Sequence, residues 1–218
     1  SGKNYEEFIQ DSILIPAGCY DMHLAHNLDK DRYFNEVRYY EQSDADLIRS
    51  CDGRDTLVYR SNGGNKIEAL YGAGVASPTE LLRFLSAIDA DDSYPDILTK
   101  ESVETMTKCV KNALPLGWMN TNNQGDWWRS GTLAGTSAML KRQRDGFCWA
   151  FITNTSNWTG PRFPHKIEGM MARAMDRVKE WPDRNLFDPD YCKAFEDGKK
   201  LLANEKGAQA HPVHPDNI

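Results

Sequence analysis

The residues best placed to do chemistry are Arg129, Ser130, Gly131 and Thr132, inside the stretch Trp127 to Thr155. A guanidinium can grip a carboxylate through two hydrogen bonds, but near neutral pH it cannot carry a proton. Arg129 therefore suits binding better than acid–base work. The alternative is a strand arginine paired with a neighbouring carboxylate. Ser130 and Gly131 could equally be plain strand-end residues. Trp127 and Trp128 are read as core and cover rather than as a substrate wall. Other reactive types are scattered. Asp21, His23 and His26 share a non-helical stretch whose spacing does not suit a metal site. Asp89, Asp91 and Asp92 look superficially like a calcium loop. No glycine follows at the needed place and Lys100 stands at the twelfth position, so a solvated helix end is expected. His211 and His214 fall in a polar tail. Five cysteines form no C-x-x-C pair, and their odd number leaves at least one free. Cys148 reads as an inert buried thiol. Neither a metal nor a cofactor is expected.

The elements that must hold Arg129 to Thr132 are legible around them. Trp127 to Gly131 reads as an edge strand, Thr136 to Gln143 as the next strand and Phe147 to Asn154 as the third. Arg144-Asp145-Gly146 turns the chain between the last two, since glycine accepts positive φ at little cost. Phe147 to Ile152 has no polar residue, the pattern of a strand covered on both faces, so helices should lie above and below it. Ser77-Pro78-Thr79-Glu80 reads as a helix start with a capping box, followed by an apolar stripe from Leu81 to Ile88. A second helix is expected from Thr99 to Val110. Another runs from Pro164 to Trp181, with Ile167, Met170, Met171, Ala174, Val178 and Trp181 inward. A further helix is expected from Asp188 to Asn204. At the start, Tyr5 to Ile13 has helical spacing and stops at Pro16 and Gly18. Residues 21–65 read as a loop-rich excursion with short strands at Tyr33 to Tyr40 and Thr56 to Arg60. Leu116 to Met119 is another short strand candidate.

With 218 residues, 40% of them hydrophobic, the chain can bury a sizeable core. A net charge of -6 argues against nucleic acid, which needs a basic face. No run is long enough to span a membrane. Ser1-Gly2-Lys3-Asn4 reads as a cut inside a longer protein rather than a natural start, so the absence of a secretory signal says nothing of location.

Three signatures occur in order: Gly2-Lys3-Asn4-Tyr5-Glu6-Glu7-Phe8-Ile9, then Tyr71-Gly72-Ala73-Gly74-Val75-Ala76-Ser77, then Trp128-Arg129-Ser130-Gly131-Thr132-Leu133-Ala134-Gly135-Thr136. A hairpin and a helix ending at Trp181-Pro182 follow. This order resembles the C-terminal part of the serine beta-lactamase and penicillin-binding-protein superfamily, nearest its beta-lactamase-related esterase and aminopeptidase branch. The resemblance implies an incomplete α+β fold, an antiparallel sheet flanked by helices. Residues 1–187 would form the C-terminal portion of the domain, and 188–218 a C-terminal helix and loose tail.

The resemblance also implies amide or ester hydrolysis through an acyl-enzyme, on a small peptide, ester or cell-wall-type substrate, in the bacterial periplasm or envelope. Arg129, Ser130, Gly131 and Thr132 would be the substrate-binding strand, with Arg129 in place of the family's Lys or His and the Thr132 N–H as an oxyanion donor. No serine here has lysine three residues later, so the nucleophile is expected upstream and the chain alone is expected to be inactive. Tyr33-Phe34-Asn35 matches the letters of a second family motif at the wrong place. The alternative function is a non-catalytic peptide- or glycan-binding module of the same fold. A sheet face left open by truncation would favour a dimer or a retained N-terminal fragment.

Overall fold

The computed structural model describes residues 2–50, 52–53, 55–59, 61, 74–110, 113–121, 125–157 and 159–181. The chain divides into two compact units, Ser1–Asp176 and Arg177–Ile218. The expected helix from Asp188 to Asn204, His211, His214, Cys51 and Cys192 lie outside the described residues. The fold is mixed α and β, with small antiparallel sheets and, among the described residues, four α-helices.

The first unit is built on a four-stranded antiparallel sheet in the order β5(Asn120–Thr121), β6(Trp127–Leu133), β7(Thr136–Arg142), β8(Cys148–Thr153). Its two hairpins are local products of their turns. Leu133 faces Thr136 across Ala134-Gly135, and Gly135 sits at φ +72°. A Cβ there would stand 2.7 Å from Ser61 Cβ, so both the turn and the packing demand glycine. The second hairpin turns at Asp145-Gly146, with Gly146 at φ +86° and its N–H bonded to Gln143 O at 2.9 Å. Asp145 Oδ1 accepts the N–H of Phe147.

Both faces of the sheet are covered. On one, Trp127, Leu140, Cys148 and Ala150 pack with Leu85 of α2(Pro78–Ser86), Ile88 just after it and Val103 of α3(Lys100–Thr107). On the other, Trp128, Met139, Trp149 and Phe151 meet Ile167, Met171 and Met175 of α4(Arg162–Met175). This is why the third strand needs no polar residue over its apolar run. It also corrects the expectation of an open sheet face. α4 closes at Met175, short of the expected Trp181. Met170 and Ala174, expected inward, are exposed, while Ile167, Met171 and Met175 face the sheet. The true stripe is a narrower set at four-residue spacing.

Ser77 caps α2 by accepting the N–H of Glu80 at 3.2 Å. The expected capping box is not completed. Glu80 instead turns into the core and accepts the N–H of Asp21 at 2.7 Å, tying the start of the excursion to α2. α3 is capped by Thr99 and stops at Thr107 rather than Val110, which is exposed in a bridge with Ala113.

The N-terminal helix α1(Tyr5–Ile9) has a complete capping box, Asn4 with Glu7, and widens into a π-helix at Gln10–Leu14. The excursion holds β1(His23–Leu24), a 3-10 turn at Asp29–Asp31, and a small hairpin of β2(Ile48–Arg49) with β3(Leu57–Val58). β1 pairs with β4(Gly74–Val75). The strand expected over Tyr33–Tyr40 does not form. Glu36 closes a turn on Tyr33, its N–H to Tyr33 O at 3.0 Å and its carboxylate on Tyr33 N, and only Tyr40 makes a bridge, to Thr155. The strand expected at Leu116 to Met119 does not form; β5 is the next two residues, Asn120–Thr121.

Candidate functional site

Strand β6 is anchored at its start and open along its rest. Trp127 is 4% exposed and stands edge-on to Trp118, with ring centroids 4.7 Å apart at 88°. The guanidinium of Arg142 lies over the Trp127 ring at 5.4 Å. These contacts fix the strand's entry. β5 then pairs with β6 only through Asn120–Trp128 and Thr121–Trp127, and the N–H of Met119 reaches Trp128 O at 2.9 Å.

Because Trp128 directs its carbonyl to the β5 side, strand alternation directs the N–H and C=O of Ser130 and Thr132 the same way. Beyond Trp128, no strand among the described residues pairs with that edge. The four expected site residues thus share one strand but divide between its faces. Arg129 and Gly131 lie on the Trp127 face, and Ser130 and Thr132 on the Trp128 face. Arg129 is exposed and has no hydrogen bond or ion pair among the described residues. The neighbouring carboxylate of the alternative reading is not found among the described residues. A Cβ on Gly131 would meet nothing within 4 Å, so the space over that position is open. Thr132 Oγ1 and Ser137 Oγ share a hydrogen bond at 3.0 Å, and Ser137 Oγ lies 3.3 Å from Gly131 O. Ser130 Oγ donates to Met119 Sδ at 3.4 Å. Among the described residues, the strand is held from behind and free in front.

A second charged cluster lies on the same face, under the end of α2. Asp89 and Arg142 have side chains only 7% and 16% exposed, with Arg142 Nε 3.8 Å from Asp89 Oδ2. That separation is an ion pair and too long for a hydrogen bond. Burial pushes the Asp89 carboxyl above its ordinary 3.8, against the pull of the Asp91 N–H and Arg142. Cys148 Sγ sits 4.0 Å from Asp89 Oδ2, and burial first, then Asp89, push its thiol up to about 12. Cys19 is pushed up to about 12 mainly by burial. A thiol so shifted is not a nucleophile at neutral pH.

The acidic run is engaged with its own backbone. Asp89 accepts the N–H of Asp91, Asp91 that of Ser93, and Asp96 that of Ala90. Among the described residues no three His, Cys, Asp or Glu are arranged to hold a metal ion. His23 and His26 each lie with ring centroids 4.9 Å from Tyr33, in contact with that ring.

Sequence reasoning missed the Asp89–Arg142 pair and Glu80's hold on Asp21. Both join residues more than fifty positions apart. The one available signal was charge inside otherwise apolar strand and helix-end patterns, which calls for a partner without saying which.

No family model and no curated protein matches the chain. A solved structure described as the crystal structure of SurE does match, with a TM-score of 0.54 at 19% identity. The match covers 85% of this chain and 44% of that one. The chain thus spans less than half the length of the SurE chain, and at this identity the likeness shows fold alone. It overturns the resemblance to serine beta-lactamases and penicillin-binding proteins, together with the acyl-enzyme hydrolase function drawn from it. The signatures behind that resemblance were a capped helix, a tryptophan-led strand and a closing helix. Such features mark where elements start and stop, and unrelated chains share them for the same steric reasons. The fold to which the comparisons liken this chain is that of SurE.

Proposed function

We propose that the outer edge of β6 is a docking edge for an extended peptide carrying a free carboxylate. The peptide adds beside Ser130 and Thr132, taking their outward N–H and C=O groups as a new strand would. Its carboxylate pairs with Arg129. The observation that carries this reading is an exposed arginine beside a strand edge, both without a partner among the described residues. A long side chain on the Trp127 face can reach a group held at the edge, because a docked strand presents substituents to both faces. The open space over Gly131 leaves room for that chain. The buried Trp127–Trp118 pair and the covered sheet behind keep the edge rigid, which lowers the ordering cost of binding. The reading is one of binding, with no reaction step, and it takes nothing from SurE beyond the fold.

Fluorescence anisotropy with fluorescein-labelled tetra-alanine tests it. The peptide with a free C-terminal carboxylate should bind about tenfold more tightly than its amide, and Arg129→Ala should erase that difference. Thr132→Pro, which removes an outward N–H at an edge position that tolerates proline, should weaken both peptides. Equal binding of acid and amide to the native chain would overturn the proposal.

A further inference from the structure

We infer that the pocket between α1, the π-helix and β1 is a binding site for a small aromatic amine. It lies in the first unit, away from the β6 edge in sequence, and is independent of the peptide reading. Its volume is about 180 Å³, close to the roughly 150 Å³ of an apolar cavity that holds one benzene ring. Its walls are the apolar side chains of Tyr5, Ile9, Leu14 and Met22, and its rim carries Glu6 and His23.

The opening has a structural cause. The chain leaves α-helical hydrogen bonding at Gln10 for i→i+5 bonds, Ile15 N to Gln10 O at 3.0 Å and Cys19 N to Leu14 O at 2.7 Å. Ile9 and Leu14, on either side of that wider turn in sequence, both line the pocket, and such π segments gather at functional sites. Gln10 swings across to donate its side-chain N–H to Met22 O, holding β1 over the gap.

The rim is held in place before any ligand arrives. Glu6 Oε1 accepts the N–H of Leu24 at 3.0 Å and lies 3.9 Å from His23 Nδ1. The His23 ring stacks on Tyr33, whose hydroxyl donates to Leu24 O at 3.1 Å. Glu6 Oε2 and His23 Nε2 have no hydrogen bond among the described residues. A carboxylate oxygen and an imidazole nitrogen at the mouth of an apolar slot call for a ring that carries a positively charged donor. The ring takes the place of water against Ile9, Leu14 and Met22, and the ammonium gives its protons to Glu6. A carboxylate on the same ring would meet Glu6 as a like charge and be refused.

Benzylamine is the probe and phenylacetate its control, titrated at pH 8 into the full chain and followed by amide NMR shifts. Benzylamine should give saturable shifts at residues 5–10 and 22–24, and phenylacetate none. Glu6→Gln keeps an acceptor for Leu24 and should weaken benzylamine about tenfold, the loss expected for one charge-assisted contact. Ile9→Trp should fill the slot and abolish the shifts. No saturable shift in the native chain, equal binding of phenylacetate, or unchanged affinity in Glu6→Gln would each overturn the inference.

Discussion

Arg142 and Arg129 project from the same face of one hairpin, and their surroundings give them opposite tasks. Arg142 is enclosed. It lies over Trp127, pairs with Asp89 under the end of α2, and donates Nη1 to Gly125 O at 3.2 Å. Arg129, on the same strand as Trp127 and two positions along from it, is exposed and without a partner among the described residues. The difference comes from what packs above each. α2 and the loop after it cover the Trp127 end of the sheet, and that cover stops before Arg129. A charge under cover must be matched or it costs several kcal/mol, whereas a charge in water can wait for a ligand.

The sharpest way to break this comparison is to remove Arg142. Arg142→Leu leaves the Asp89 carboxylate buried without its cation, and urea denaturation should show a loss of about 3 kcal/mol. Arg129→Ala should leave the urea midpoint within about 0.5 kcal/mol of the native chain, as for an exposed residue with no contacts. If both variants lose similar stability, the two arginines do the same work and the comparison fails.

Asp89 sharpens it through pH. Burial raises its carboxyl above 3.8 in the folded chain. Between 3.8 and the raised value the folded state holds more protons than the unfolded one, so this group's contribution to stability falls as pH rises through that window. The stability of the native chain minus that of Asp89→Asn should therefore decrease as pH climbs from 3.8, measured by urea titrations at several pH values.

A smaller loss than that of Arg142 belongs to a third cation, Lys141, on the opposite face. It bonds Glu168 of α4 at 2.5 Å, and His165 bonds the same carboxylate at 3.0 Å. Burial alone would raise Glu168, but the hydrogen bonds from His165 and Lys141 outweigh it and hold the carboxyl below 4.5. Its stabilisation is present above 4.5 and fades as pH falls through the lowered value. Glu168→Gln should cost about 0.5–1 kcal/mol at neutral pH and nothing once Glu168 is protonated, read from urea midpoints.

Much of the sheet was legible because its information is local. Asp145-Gly146 marks a turn, the apolar run of β8 asks for cover on both faces, and Ser77-Pro78 marks a helix start. The partners of charged side chains were not legible. Glu80 stands where a capping box wants it, yet a backbone N–H at Asp21 draws it into the core. Tyr33 to Tyr40 has strand-forming residues, yet Glu36 closes a turn because its carboxylate sits three residues from Tyr33 N. The family resemblance failed for a related reason: element punctuation repeats across folds, whereas the packing that distinguishes them is non-local.

The sequence by itself determined where chain direction reverses and which runs must be buried, since turn sterics and the removal of apolar side chains from water act over a few neighbours. Only the tertiary structure decided that Arg142 is enclosed while Arg129 is open, that Glu6 and His23 meet at one pocket, and that no strand among the described residues pairs with the outer edge of β6 beyond Trp128. Those outcomes depend on which distant segment lies on top, and the strength of a charge's interactions is set by that cover rather than by its neighbours in the chain.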